Sequence, residues 1–153
     1  MQITLTIVAG VPGAGKSSFL GAAQYSSDPQ RIVIETDLTE ELPFTAAETA
    51  KKAGLSVELV YIALNDLEEN LSRVQNRMQR GGAHSTQEEV QKAFSGRWDN
   101  LIKILPHCTK ATLWDNTNGF TCVAEYKDDA LHLNGEAKPA WLEELQHHMN
   151  MRE

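Results

Sequence analysis

The sequence predicts an α/β fold, a parallel sheet with helices on its faces, and three observations carry that prediction. Short apolar, β-rich runs alternate with segments of helical periodicity, the pattern of strand–helix–strand units. A glycine-rich stretch, Gly10-Val11-Pro12-Gly13-Ala14-Gly15-Lys16-Ser17, sits between the first such run and a helix. An arginine-striped helix ends at Gly81-Gly82 and is followed by a capped helix, a layout suited to a helical lid. A C-terminal hairpin completes the expected architecture. With 153 residues and no linker, repeat or low-complexity tract, residues 1–153 read as a single domain.

The elements follow in order. Residues 3–9, Ile-Thr-Leu-Thr-Ile-Val-Ala, form a buried strand, and the helix after the glycine-rich turn starts at Ser17. Residues 25–30 are a loop. Arg31 to Asp37 is a second short buried strand ending in acids, and Leu38 to Pro43 is a connection. A short helix over 45–54 stops at Gly54. Val57 to Leu64 is a third strand. Leu67, Leu71, Val74 and Met78 then form the core stripe of a helix. Arg73, Arg77 and Arg80 form a second stripe, turned about 100° from the first. Ser85 with Glu88, or Thr86 with Glu89, offers a capping box. One long amphipathic helix through Val90, Phe94, Trp98, Leu101, Ile102 and Leu105 ends at Pro106. Ala111 to Asn116 is a fourth strand and turn. Phe120 to Tyr126 pairs with Ala130 to Leu133, Asn134-Gly135 marks a turn, and Pro139 to His148 is a final helix.

The net charge of −7 argues against a protein built to hold nucleic acid, which wants a basic face. No segment is long enough to span a bilayer, and no targeting segment is visible, so a cytoplasmic protein without a membrane role is expected. Cys108 and Cys122 lack metal-ligand spacing and read as a reduced pair. The five histidines form no metal-binding cluster.

Residues 10–17 match the phosphate-binding P-loop (Walker A) pattern G-x-x-x-x-G-K-[ST] at every fixed position, in the strand–loop–helix context it requires. Glycines let the backbone wrap an anion, and the following helix N-terminus adds its positive end. The motif makes Gly10, Val11, Pro12, Gly13, Ala14, Gly15, Lys16, Ser17 and Ser18 the candidate ATP cradle. Lys16 would reach the β- and γ-phosphates and the Ser17 hydroxyl would ligand Mg²⁺. The alternative is a glycine-rich turn that binds nothing. The arginine stripe would neutralise a transferring phosphoryl group, with Arg77 and Arg80 favoured because they lie nearest the glycine break; otherwise it is a solvated helix face.

Glu35-Thr36-Asp37-Leu38 resembles the E-T-T-L that ends a strand in zeta toxin-like kinases. Val60 to Leu64, followed by Arg73-x-x-x-Arg77-x-x-x-Gly81-Gly82, is similar to that family's strand-to-lid passage. Asn100-Leu101, Trp114-Asp115-Asn116-Thr117, and Pro139 with Trp141-Leu142 resemble its late landmarks. The match covers residues 1–20 and about 32–145.

The resemblance implies a P-loop NTPase/kinase-like fold, ATP and Mg²⁺, and phosphorylation of a small hydroxyl acceptor, a UDP-activated amino sugar in the toxins. It also allows an antitoxin-like protein partner. Carried over by position, Lys16 and Ser17 serve phosphates and metal, Glu35 sits at the substrate, and Arg77 or Arg80 stabilises the transferring phosphoryl. The Asp115-Asn116 turn lies at the nucleotide end of the sheet.

Family members carry a further strand before the E-T-T-L strand, ending in the aspartate that acts as general base. Too few residues separate Ser17 from Glu35 to hold it here. Asp37 is the replacement the sequence offers as base; its other reading is a cap on the following connection. The family's G-G-H becomes Gly81-Gly82-Ala83-His84, and its second arginine site becomes Ala93-Phe94, with Lys92 or Arg97 as substitutes. Two other readings stay open: a nucleotide-binding module without transfer, and a polynucleotide 5′-end kinase, against which the acidic charge speaks.

Overall fold

In the computed structural model, which describes residues 3–82, 84–135 and 138–151, the chain forms a six-stranded mixed sheet flanked by helices. The strands are β1 (Thr4–Ala9), β2 (Arg31–Thr36), β3 (Ser56–Ala63), β4 (Lys110–Asp115), β5 (Thr121–Lys127) and β6 (Ala130–Leu133). Their order is β2-β1-β3-β4-β5-β6. The first four run parallel, and β5 and β6 add the antiparallel hairpin. The helices are α1 (Lys16–Ala23), α2 (Leu42–Lys52), α3 (Leu67–Gln79), α4 (Gln87–Ser95), α5 (Arg97–Ile104) and α6 (Ala140–Met151).

Strand alternation divides the core between the two faces of the sheet. Leu5, Ile7, Leu59, Tyr61 and Leu113 look toward α2, α5 and α6, where Phe44, Trp98, Leu101, Trp141 and Leu142 meet them. Val8, Val60 and Ile62 look toward α1 and pack on Phe19, which contacts the Trp114 and Phe120 rings edge-on. A third cluster ties α3 and α4 to the loop: Val11 packs with Val74 of α3 and with Val90 and Ala93 of α4. The predicted stripe residues Leu67, Leu71 and Met78 border that cluster.

Local signals resolve as their chemistry dictates. The capping box is Thr86 with Glu89: Glu89 N–H donates to Thr86 Oγ1 at 3.1 Å and Thr86 N–H to Glu89 Oε1 at 3.0 Å. Gly54 N–H donates to Lys51 O and Leu55 N–H to Ala50 O, the paired bonds of a Schellman stop.

Three expectations are corrected. The long helix through residues 90–105 breaks at Gly96 into α4 and α5, which turns Arg97 inward. Helix α2 begins at Leu42, because Pro43 is tolerated in a first turn, where its missing N–H is no loss. Strand β2 is an edge strand rather than a buried one: among the described residues it pairs only with β1, and Ile32 is 55% exposed. Ala83, the inserted residue of the Gly81-Gly82-Ala83-His84 stretch, lies outside the described residues.

Candidate functional site: a P-loop cradle

The P-loop occupies the C-terminal end of β1, where parallel strands leave a crevice. Its glycines are needed where the chain is crowded. Gly13 has φ 89°, and a Cβ there would lie 2.5 Å from the backbone oxygen of Asn70 in α3. Gly15 has φ 110°, and a Cβ there would collide with the Asn116 side chain. Both angles disfavour any residue with a side chain.

Two asparagines brace the loop. Asn70, buried in the first turn of α3, donates Nδ2 to the Pro12 carbonyl at 3.1 Å. Asn116, after β4, donates Nδ2 to the Ala14 carbonyl at 2.9 Å and its N–H to the Ala63 carbonyl at 3.2 Å. These bonds use up outward-facing loop carbonyls, which favours presentation of N–H groups to an anion. Periodicity does single out Asn70, as a polar residue on the apolar stripe between Leu67 and Val74.

A cavity of about 210 Å³ opens beside the loop, lined by Gly13, Gly15, Lys16, Ser17, Ser18, Arg73, Arg77 and Asn116. Lys16 folds back so that Nζ donates to the Gly10 carbonyl at 2.6 Å. Burial pushes its pKa down to about 8, against the upward pull of Asp37 and then Glu35, while Arg77 adds to the depression. Arg77 Nε is buried without a hydrogen-bond partner. A cradle with a half-buried ammonium and an unpaired guanidinium nitrogen fits a polyphosphate anion, which would supply acceptors to both.

Ser17 Oγ donates to Glu35 Oε1 at 3.1 Å. The parallel register opposes Val8 and Glu35, so β2 delivers this carboxylate to the P-loop helix. A hydroxyl and a carboxylate side by side are hard oxygen donors, the type Mg²⁺ takes together with nucleotide phosphates and water. Asp37 lies near enough to bias Lys16, yet its Oδ1 accepts from Thr39 N–H at 3.0 Å and Thr39 Oγ1 at 2.6 Å. Between these residues Leu38 is buried with φ 65°, an unfavourable angle for leucine.

The arginine stripe divides. Arg73 and Arg77, one turn apart, line the cavity. Arg73 NH2 donates to Glu69 Oε1 and the Asn116 carbonyl, both at 2.9 Å, and to the Thr117 carbonyl at 3.4 Å. Arg80 is the C-cap of α3, exposed and not among the residues lining the cavity. Ala93 is fully buried between α3 and α4, and Lys92 is exposed. Arg97 is buried, stacks on Phe94 and Trp98, and donates NH1 to the Leu64 carbonyl at 2.7 Å, so it braces the end of β3. Asp115 Oδ1 accepts from Thr117 Oγ1 at 3.0 Å and Trp141 Nε1 at 2.8 Å, which docks α6 at the C-terminal end of β4.

A larger groove of about 460 Å³ lies between α3 and α4, but Leu71, Val74, Gln75, Met78, Ser85, Thr86, Gln87 and Val90 give it no charged group for a phosphate. Among the described residues no helix is long and apolar enough to cross a membrane, and no cluster of three or more His, Cys, Asp or Glu stands ready for a metal.

No protein-family model matches the chain, and no curated protein matches it in sequence. Solved structures do. The chain is similar to the AvrRxo1-ORF1:AvrRxo1-ORF2 complex with sulphate ions, at TM-score 0.67 and 17% identity over 94% of this chain and 63% of that one. It is similar to the AvrRxo1-ORF1:-ORF2 complex with ATP, at TM-score 0.65 and 16% identity over 96% of this chain and 63% of that one. It is also similar to the PezAT chromosomal toxin–antitoxin system of Streptococcus pneumoniae, at TM-score 0.58 and 14% identity over 99% and 85%. The chain thus spans 63% of the length of the AvrRxo1 complex chains it matches. Together with the six-stranded sheet, these likenesses show the α/β fold expected from the sequence, a mostly parallel sheet flanked by helices with the glycine-rich loop after β1.

Proposed function

We propose that residues 1–153 form one ATP- and Mg²⁺-dependent phosphotransferase unit acting on a small hydroxyl acceptor. The carrying observation is the convergence of Lys16, Ser17, Arg73 and Arg77 on one cavity at the P-loop. The resemblance to zeta toxin-like kinases suggests a UDP-activated amino sugar as acceptor. The AvrRxo1 complex crystallised with ATP supports the choice of nucleotide. The complexes with ORF2 and the PezAT toxin–antitoxin pair support a protein partner of antitoxin type.

In this reading Gly10 to Ser18 cradle the phosphates, and Lys16 exchanges the Gly10 carbonyl for phosphate oxygens. Ser17 and Glu35 would hold Mg²⁺, which when bound neutralises charge on the β- and γ-phosphates. Glu35 thus serves the metal side; the carry-over from the family placed it at the substrate. Arg77 meets the transferring phosphoryl; Arg80 is exposed and is not among the residues lining the cavity. Asp37 takes the acceptor's hydroxyl proton as the acceptor oxygen bonds to γ-phosphorus and the bond to the ADP oxygen breaks.

A nucleotide-binding module without transfer is the second reading. It is favoured by the two bonds from Thr39 that already occupy Asp37 Oδ1. Phosphorus NMR with Mg-ATP and a pool of UDP-sugars, beside Lys16→Ala, separates the two. A new phosphomonoester with ADP, absent in the variant, is the expected result. Unchanged ATP in the wild type, with binding intact, would leave the binding module.

A further inference from the structure

We infer that helix α6 holds the proposed nucleotide cradle in shape through one hydrogen bond, from the Trp141 indole to Asp115; this rests on the nucleotide reading of the cradle. Among the described residues none of α6 lines the cavity, and neither does Asp115. Trp141 and Asp115 are therefore positioning residues, acting through Asn116.

Asn116 is where the turn between β4 and β5 meets the loop. Its Nδ2 donates to the Ala14 carbonyl at 2.9 Å, and it lies so close to Gly15 that a Cβ there would collide with it. The contact has no slack. A small shift of the turn either breaks the bond or presses on the loop. The tip of the turn supplies little packing of its own: Asn118 and Gly119 are exposed, and Gly119 has φ 94°.

Side chains from two helices reach the turn. Arg73 of α3 is 32% exposed and shares one amino group among the Glu69 carboxylate and the Asn116 and Thr117 carbonyls. Trp141 of α6 is fully buried and reaches it through Asp115, whose Oδ1 also accepts from Thr117 Oγ1. One carboxylate oxygen thus joins the turn to α6. The indole is itself fixed. It stacks on Trp98 of α5, centroids 5.8 Å apart and planes at 27°, and the Trp141 N–H donates to Asn65 Oδ1 at 3.1 Å, just beyond β3. A buried donor to a carboxylate, held on both sides, sets the turn more firmly than a guanidinium open to water. Trp98 provides a matched comparison. It is 3% exposed in the same stack, but its Nε1 is buried without a hydrogen-bond partner among the described residues. Phenylalanine at either position removes an indole N–H and the same volume; only at position 141 does it remove the bond to Asp115.

Calorimetric titration with Mg-ATP compares the wild type, Trp141→Phe and Trp98→Phe, with thermal melts to check each fold. Trp141→Phe should bind at least about fivefold more weakly, within the range for residues that bias a site without touching its ligand. Trp98→Phe should stay within about twofold of the wild type. A second readout uses the wild type alone: the Trp141 indole resonance in proton–nitrogen NMR should move on saturation with Mg-ATP. If Trp141→Phe does not fold, that resonance decides. Wild-type affinity in Trp141→Phe, equal losses in the two variants, or a Trp141 resonance unmoved by bound Mg-ATP each overturns the proposal while the cradle reading stands. A wild type that binds no Mg-ATP overturns the cradle reading, and this proposal with it.

Discussion

The Ser17 hydroxyl donates to the Glu35 carboxylate at 3.1 Å, joining the first turn of the P-loop helix to the end of the neighbouring strand. In the proposed function this bond marks the metal side of the cradle. If Glu35 orients Ser17 and a hydrated Mg²⁺, Glu35→Gln weakens Mn²⁺-ATP binding about tenfold, the lower range for a residue supporting a metal ligand. Metal-free ATP should bind no worse, since a negative charge has been removed. Titration followed by Mn²⁺ electron paramagnetic resonance measures both. Equal Mn²⁺-ATP affinity in the two proteins would return Glu35 to the acceptor side.

Lys16 predicts a pH dependence. Its pKa of about 8 lies below the ordinary 10.5, so between those values the unfolded chain binds more protons than the folded one. The Lys16 contribution to stability therefore rises with pH from about 8 to 10.5. Phosphates favour the charged ammonium, so ATP affinity moves the other way. It falls above pH 8 by up to about tenfold per unit. Calorimetric titrations at pH 7, 8 and 9 check the slope, which Lys16→Ala should abolish.

Asn70 links α3 to the loop through the Pro12 carbonyl. Asn70→Ala leaves that carbonyl unpaired and should cost roughly 1–3 kcal/mol, read from urea unfolding. ATP affinity should fall as well, because the loop loses its brace. A stable variant with unchanged affinity would make the bond incidental.

The split of the arginine stripe gives a paired test. Arg77→Ala removes a guanidinium from the cavity and should weaken ATP binding roughly 10- to 100-fold, the value of a hydrogen bond to a charged group. Arg80→Ala, at an exposed cap, should stay within about twofold, as surface changes usually do. Equal losses would mean that Arg80 reaches the nucleotide after lid movement.

Much of this was legible because local signals agreed with the global fold. Residues 3–17 carry strand, glycines and helix start in register, and Thr86 with Glu89 is a capping box both in sequence and in space. Other features depended on what lies nearby. An apolar run such as residues 31–36 reads the same whether or not a strand covers it, so the edge position of β2 was invisible. Gly96 sits in an unbroken helical pattern where one glycine is normally tolerated; the break follows the seat Arg97 finds on the Leu64 carbonyl. Periodicity oriented Arg73 and Arg77 but not Arg80, which lies where the helix has already ended. The Asp128-Asp129 hairpin turn, with φ of 54° and 61°, used residues that tolerate the left-handed region without glycine.

The most direct test is calorimetric titration of the protein with ATP, with and without Mg²⁺, alongside Lys16→Ala. A P-loop cradle with Glu35 on its metal side predicts saturable one-to-one binding, strengthened by Mg²⁺ and lost or at least about tenfold weaker in the variant. No binding by the wild type, or equal binding by Lys16→Ala, would contradict it.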